Sequence, residues 1–168
     1  TIDIVFYPGT GAELDVQEDF EVPGLDLYWQ NINPDGSIGW EPREDIVGIT
    51  GDLTRAYWMD NYSYSSAGNE DRIVTVPIDL TDPDLVNPTL FFDVSYVPYA
   101  GDGYVDTFKV EIYTNCQADL AGVPYKKWDL DLATSDPDFG EFTPESADDW
   151  RTEIVDLSPY LGEAIIIQ

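Results

Sequence analysis

The backbone pattern of this chain is set by short runs of alternating apolar residues, each closed by Gly, Pro, Asn or Asp. TIDIVFY (Thr1–Tyr7) alternates and stops at Pro8-Gly9. DLYWQNI (Asp26–Ile32) runs into the turn NPDGS (Asn33–Ser37). TRAYWMDNY (Thr54–Tyr62), RIVTVPIDL (Arg72–Leu80), TLFFDVSYVPY (Thr89–Tyr99) and DTFKVEIYT (Asp106–Thr114) follow. PYKKWDL (Pro124–Leu130) is a weaker run, and WRTEIVDL (Trp150–Leu157) and EAIIIQ (Glu163–Gln168) come last. A period of two places alternate side chains on opposite faces, so these runs predict strands. In the 106–114 run, Phe108, Val110 and Ile112 are expected to face a core, opposite Lys109, Glu111 and Tyr113. Pro77 marks an edge or a strand end. SPYLGE (Ser158–Glu163) allows one short helical turn. Short strands recurring at intervals of roughly a dozen residues predict an all-β fold, a β-sandwich or jelly roll.

The length of 168 residues suits one domain, with 43% apolar and 14% aromatic residues to build its core. Residues 1–17 read as an N-terminal strand and linker, with Gly9–Glu18 as the linker-like stretch, and residues 18–168 as the sandwich domain. No internal repeat divides the sequence. AIIIQ at the end reads as a buried strand with no polar tail. The expectation is therefore an incomplete sheet edge near Ile165–Ile167, in a domain truncated at, or continued beyond, residue 168.

Charge narrows the function. There are 34 Asp and Glu against 7 Lys and Arg, a net charge of −27. Such a surface repels phosphate backbones and anionic lipid, so neither nucleic acid nor membrane insertion is expected. It fits solubility in salty surroundings, and also binding of divalent cations through carboxylates. The absence of histidine removes Ser-His-Asp and Cys-His catalysis and the usual zinc sites. Cys116, the sole cysteine, has Glu111 and Asp119 nearby in sequence. That acidic setting disfavours a thiolate, so packing or a relic of a disulfide is expected in place of catalysis. Two-carboxylate glycosidase chemistry has no sequence pattern here to select a pair. The chain is not expected to be an enzyme.

Three loops are rich in oxygen ligands. NINPDGSIGWE offers Asn31, Asn33 and Asp35; YAGDGYVDT offers Asp102 and Asp106; EDFE offers Glu18, Asp19 and Glu21. Calcium takes six to eight oxygens from flexible loops of this type. Ordinary Asp/Asn/Gly turn chemistry accounts for them equally well, and none has EF-hand spacing. The five tryptophans and eleven tyrosines form a second group. Trp29, Trp40 and Trp58 are candidates for ligand binding, against the alternative that most tryptophans fill the core.

EDFEVPG (Glu18–Gly24), YWQNINPDGSIGWE (Tyr28–Glu41), AYWMDNY (Ala56–Tyr62), DRIVTVPIDLTD (Asp71–Asp82), the run Thr89–Cys116 and DDWRTEIVDLSPYLGEAIIIQ (Asp148–Gln168) occur in order. Together they resemble the cleaved-adhesin and MAM-like jelly-roll modules of Bacteroidetes surface proteins. The resemblance implies a galactose-binding-like sandwich, extracellular and exported by type IX secretion. It implies a non-enzymatic adhesion or assembly module, or a part appended to a secreted protease, with structural Ca²⁺. By position it assigns Glu21 and Asp106 as ligands, with Asp19 and Asp35 next. Two departures stand out: the family's Cys-Gly is Cys116-Gln117 here, and a further Gly/Asn-rich loop and acidic strand do not follow. The expected partners are other copies or domains of a surface protein, glycans, or host and surface proteins. One form of assembly would insert Ile2–Tyr7 of one copy into the open sheet of the next, building a filament. A carbohydrate-binding module of a larger secreted enzyme is the alternative function.

Overall fold

The computed structural model describes residues 18–21, 29–64 and 67–168. The expected strand Ile2–Tyr7, and the linker before Glu18, lie outside the described residues.

The chain is an all-β sandwich with little helix. Its strands are β1 (Trp29–Ile32), β2 (Glu41–Val47), β3 (Leu53–Trp58), β4 (Arg72–Thr75), β5 (Ile78–Asp79), β6 (Thr89–Val94), β7 (Thr107–Thr114), β8 (Asp119–Trp128), β9 (Arg151–Asp156) and β10 (Ala164–Ile167). A four-stranded sheet runs in the order β5-β10-β7-β8, and β6 pairs with β9, β1 with β4 and β2 with β3. Each of these strand pairings is antiparallel. One α-helical turn, α1 (Asp129–Leu132), follows β8. The turn expected at Ser158–Glu163 is a 3₁₀ turn at Ser158–Tyr160.

The core lies between the β6–β9 pair and the four-stranded sheet. Leu90, Phe92 and Val155 from the pair meet Val110, Ile112, Tyr125, Ile165 and Ile167 from the sheet. Phe92 packs edge-on against Tyr125 at 5.1 Å, and tilted against Phe108 at 5.6 Å. Burying apolar side chains of this size contributes about 1.5–3 kcal/mol each. The alternation read in β7 places its faces as expected. Val110 and Ile112 are buried, and Phe108 packs against them. On the other face Lys109 pairs with Glu111 at 2.9 Å, and the Tyr113 hydroxyl donates to the same carboxylate at 3.1 Å.

Ile165–Ile167 are not an edge, which corrects the sequence expectation. Ala164 and Ile165 pair with β5, while Ile166 and Ile167 pair with β7. The Ile167 amide also donates to the Thr75 hydroxyl at 3.0 Å. An apolar strand with both faces covered is hydrophobic at every position, and that is why it reads AIII. Among the described residues the edges of this sheet are β5 and β8. β8 carries Pro124, Lys126 and Lys127, residues that discourage pairing with another chain.

Cys116 does not pack. It is exposed in the β7–β8 turn, where Asn115, Cys116 and Gln117 have φ of 51°, 53° and 71°. Three successive side chains in the left-handed region make this a strained turn.

Candidate functional site

The acids assigned as metal ligands fall on three segments: Asp19 with Glu21, Asp35, and Asp102 with Asp106. The Asp19 carboxylate accepts from the Glu21 amide at 3.0 Å, a local turn. Glu21 accepts from the Thr54 hydroxyl and from the Arg55 amide at 3.1 Å, stitching its segment to β3. The Thr54 bond first, then the Arg55 amide, hold the Glu21 carboxyl below the usual carboxylate range. Asp35 accepts from the Ser37 amide and the Tyr64 hydroxyl, both at 2.9 Å, and from the Asn69 side chain. The Ser37 amide first, then Tyr64, lower its pKa. Asp71 is the acid that feels Asp35: burial and the Asp35 charge push its carboxyl up. Asp102 is exposed on its loop. Among the described residues no three acidic, cysteine or histidine side chains converge as a metal-holding group.

Asp106 is half-buried, with the Tyr96 hydroxyl donating to it at 3.0 Å. Burial raises its pKa, and the Tyr96 bond offsets this only in part. A raised folded value means the folded state holds its proton more tightly than the unfolded chain. The group's contribution is then most favourable at low pH, and declines as pH rises through its titration. Asp106→Asn keeps an acceptor for Tyr96 and removes the desolvated charge. It is expected to raise the thermal midpoint at pH 7 in a chelating buffer, by about 1–3 °C, and to leave it unchanged well below pH 4. A fall in midpoint seen only with added calcium would instead identify Asp106 as a metal ligand.

The tryptophans divide. Trp29 is a core residue packed against Phe20, so it is not a surface platform. Trp40 donates its indole N–H to the Asp71 carbonyl at 3.1 Å and lies edge-on to Phe108. Trp58 is part-buried, and the Arg43 guanidinium sits 4.4 Å over its ring. Two of the three are therefore fastened into structure by their polar or charged contacts, and the third is buried.

The exposed aromatic surface is elsewhere, on residues the sequence reading did not single out. Tyr99 stands at the centre of a group of four rings. Tyr104, Phe139 and Tyr62 surround it with centroids at 5.3, 5.7 and 6.2 Å and interplanar angles of 81°, 88° and 61°. Tyr62, Tyr104 and Phe139 are 57%, 63% and 65% exposed, and Val105 beside them is exposed too. Three loops supply these rings: the one after β3, the one between β6 and β7, and the one after α1.

Backbone bonds fix the β6–β7 loop to the loop after α1, and Tyr62 joins them through its ring contact with Tyr99. The Ala100 amide donates to the Asp138 carbonyl at 2.8 Å, and the Asp138 amide to the Pro98 carbonyl at 3.1 Å. Thr134 bonds Tyr96 through both its amide and its hydroxyl. Gly101 lies under the Tyr99 ring, where a Cβ would come within 2.5 Å of the ring carbon Cε1. Gly101→Ala is expected to push Tyr99 out of the cluster. The thermal midpoint should move by no more than about 2 °C, because the ring is exposed. The two-dimensional NMR spectrum should show shifted Tyr62, Tyr104 and Phe139 ring resonances; unshifted ones would refute the packing.

Shallow hollows lie apart from these rings, which line neither of the following two. One, about 300 Å³, is lined by Asp35, Asn69, Glu70 and Arg72; the other, about 160 Å³, by Glu21, Glu44, Thr54 and Arg55. The carboxylates lining them are occupied by ion pairs or hydrogen bonds. No helix among the described residues is long and apolar enough to cross a membrane.

No family model matches the sequence, and no curated relative matches it. Among solved structures, the K1 cleaved adhesin domain of Lys-gingipain from Porphyromonas gingivalis W83 is similar at 16% identity, with a TM-score of 0.33. The alignment covers 89% of this chain and 83% of that one.

Proposed function

We propose that this chain is an extracellular, non-enzymatic adhesion module that holds a partner through the Tyr62–Tyr99–Tyr104–Phe139 cluster. That cluster carries the reading. A soluble domain exposes single apolar side chains freely, but a contiguous group of rings packed on one another, two of its three loops joined by backbone bonds, is the mark of an interaction surface. Aromatic side chains also give large contact area with few rotatable bonds, which keeps the entropic cost of docking low. The strongly acidic remainder of the surface keeps copies apart, so the cluster does not lead to indiscriminate aggregation. The ordered motifs from Glu18 to Gln168 add support for a module of secreted surface proteins.

The test is retention on immobilised extracellular proteins and glycans at about 150 mM salt, the ionic strength at which exposed charges are largely screened. Saturable retention on at least one surface is expected. It should fall at least ten-fold in the variant Tyr62→Ala/Tyr104→Ala/Phe139→Ala, and stay unchanged in Trp128→Ala, an exposed aromatic on β8. Retention on a surface that the triple variant leaves intact would refute the reading.

A further inference from the structure

The chemistry of the cluster narrows its partner. Residues 59–64, 98–106 and 134–142, which carry the four rings, contain Asp60, Asp102, Asp106, Asp136, Asp138 and Glu141 and no Lys or Arg. Asp106 is turned to Tyr96, and Glu141 faces Arg43 at 3.4 Å. Asp102, Asp136 and Asp138 are exposed. Asp102 lies in the chain between Tyr99 and Tyr104, and Asp138 directly precedes Phe139. The apolar surface therefore shares its loops with negative charge only.

Ring geometry separates two kinds of ligand. A flat sugar ring stacks best on rings that lie parallel in a row. Here the three outer rings stand at 61–88° to Tyr99, giving a notched surface of steeply inclined faces. A compact cation suits such a notch. It gains from the negative face of each ring it approaches, whatever the angle between rings, and from a carboxylate beside it. A second copy of this chain is a poor occupant, since each copy carries a net charge of −27.

We infer that the Tyr62–Tyr99–Tyr104–Phe139 notch, with Asp102 and Asp138, docks the Lys and Arg side chains of a basic polypeptide segment. This rests on the adhesion reading and names its partner class. Guanidinium or ammonium groups would sit against the ring faces while the carboxylates accept their N–H bonds.

Binding of polycations to so acidic a protein is expected from charge alone, so the test holds charge constant. The probes are a short Gly-Arg repeat peptide, the matching Gly-Ser peptide and a neutral β-linked hexasaccharide, titrated by calorimetry at about 150 mM salt. Tyr62→Ala/Tyr104→Ala/Phe139→Ala leaves the net charge untouched. It is expected to weaken Gly-Arg binding roughly ten-fold or more, at about two- to five-fold per ring lost. Trp128→Ala should stay within two-fold. Asp102→Asn/Asp138→Asn keeps every ring, and should weaken the same peptide while sparing the fold, as a thermal melt would verify. Gly-Ser binding should be undetectable.

Unchanged Gly-Arg affinity in the triple variant would overturn the inference, since the field of the whole surface would then account for binding. No Gly-Arg binding by the native chain would overturn it as well. Hexasaccharide binding that the triple variant abolishes would overturn the cationic partner in favour of a glycan. None of these outcomes touches the adhesion reading, which the retention experiment decides separately.

Discussion

Ile165→Ala should destabilise the fold by about 2–5 kcal/mol, the range for removing a buried aliphatic side chain when its surroundings relax only partly. Ile165 has no exposed surface and belongs to the central cluster with Ile112, Val110 and Leu157. Its strand is hydrogen-bonded to β5 on one side and to β7 on the other. A cavity there removes contacts from both layers of the sandwich. For a domain of this size the cost corresponds to a drop of roughly 5–15 °C in the unfolding midpoint. Were the Ile165 side chain on an exposed face, the same truncation would cost under about 1 kcal/mol, as surface substitutions usually do. A urea titration distinguishes the two.

Arg151→Lys should be the most damaging conservative substitution, at about 2–4 kcal/mol. The Arg151 guanidinium donates from Nε to Glu153 at 2.7 Å, from Nη1 to the Ala133 carbonyl at 2.8 Å, and from Nη2 to the Leu132 carbonyl at 3.1 Å. Those carbonyls end α1, so the fork fastens the start of the loop that carries Asp138 and Phe139 to β9. A lysine ammonium has no such planar fork. Lys127 still reaches Glu153 at 2.6 Å, so the carboxylate is not left bare. Amide exchange across residues 133–139 should speed up in the variant.

The same pairing sets a pH dependence. Burial works against ionising Glu153, but hydrogen bonds from Lys127 and Arg151 outweigh it, and its pKa lies below the usual value. The stabilisation is therefore fully present above the unfolded carboxylate range, near pH 4.3, and is lost as pH falls through the lowered folded value. Asp106 and Asp71 act in the opposite sense, while Glu21 and Asp35 act with Glu153, so the acid-range stability is the balance of these groups.

Alternation carried most of the fold. Leu90 and Phe92 in β6, Val110 and Ile112 in β7, and Val155 in β9 lie in the core because a period of two put them on one face. β2 escaped notice because Glu41, Arg43, Glu44 and Asp45 fill four of its seven positions. It is a strand by pairing with β3, not by propensity, and its register shifts between Arg43 and Ile46. β8 begins at Asp119, earlier than its expected start at Pro124, because most of its residues are exposed and leave no apolar rhythm. β10 was legible as a strand but not as an interior one, since the pattern AIII says that both faces are covered and is silent on which strands flank it.

The candidate site was harder to see. Trp29, Trp40 and Trp58 drew attention as the largest rings, yet burial, an indole hydrogen bond and an arginine hold them in structure. Tyr62, Tyr99, Tyr104 and Phe139 come from three loops separated by as many as 77 positions (62 to 139). No linear pattern brings them together. One signal was available: Tyr99, Gly101 and Tyr104 in YAGDGY place two rings around small residues in a loop, where a core role is least expected.

The most direct measurement of the central claim is an NMR titration of the native chain with the Gly-Arg peptide, following aromatic ring protons and backbone amides. Perturbations centred on Tyr62, Tyr99, Tyr104 and Phe139, with the amides of Asp102 and Asp138, are the predicted result. Small shifts scattered over the acidic surface, with those four rings unmoved, would contradict the account.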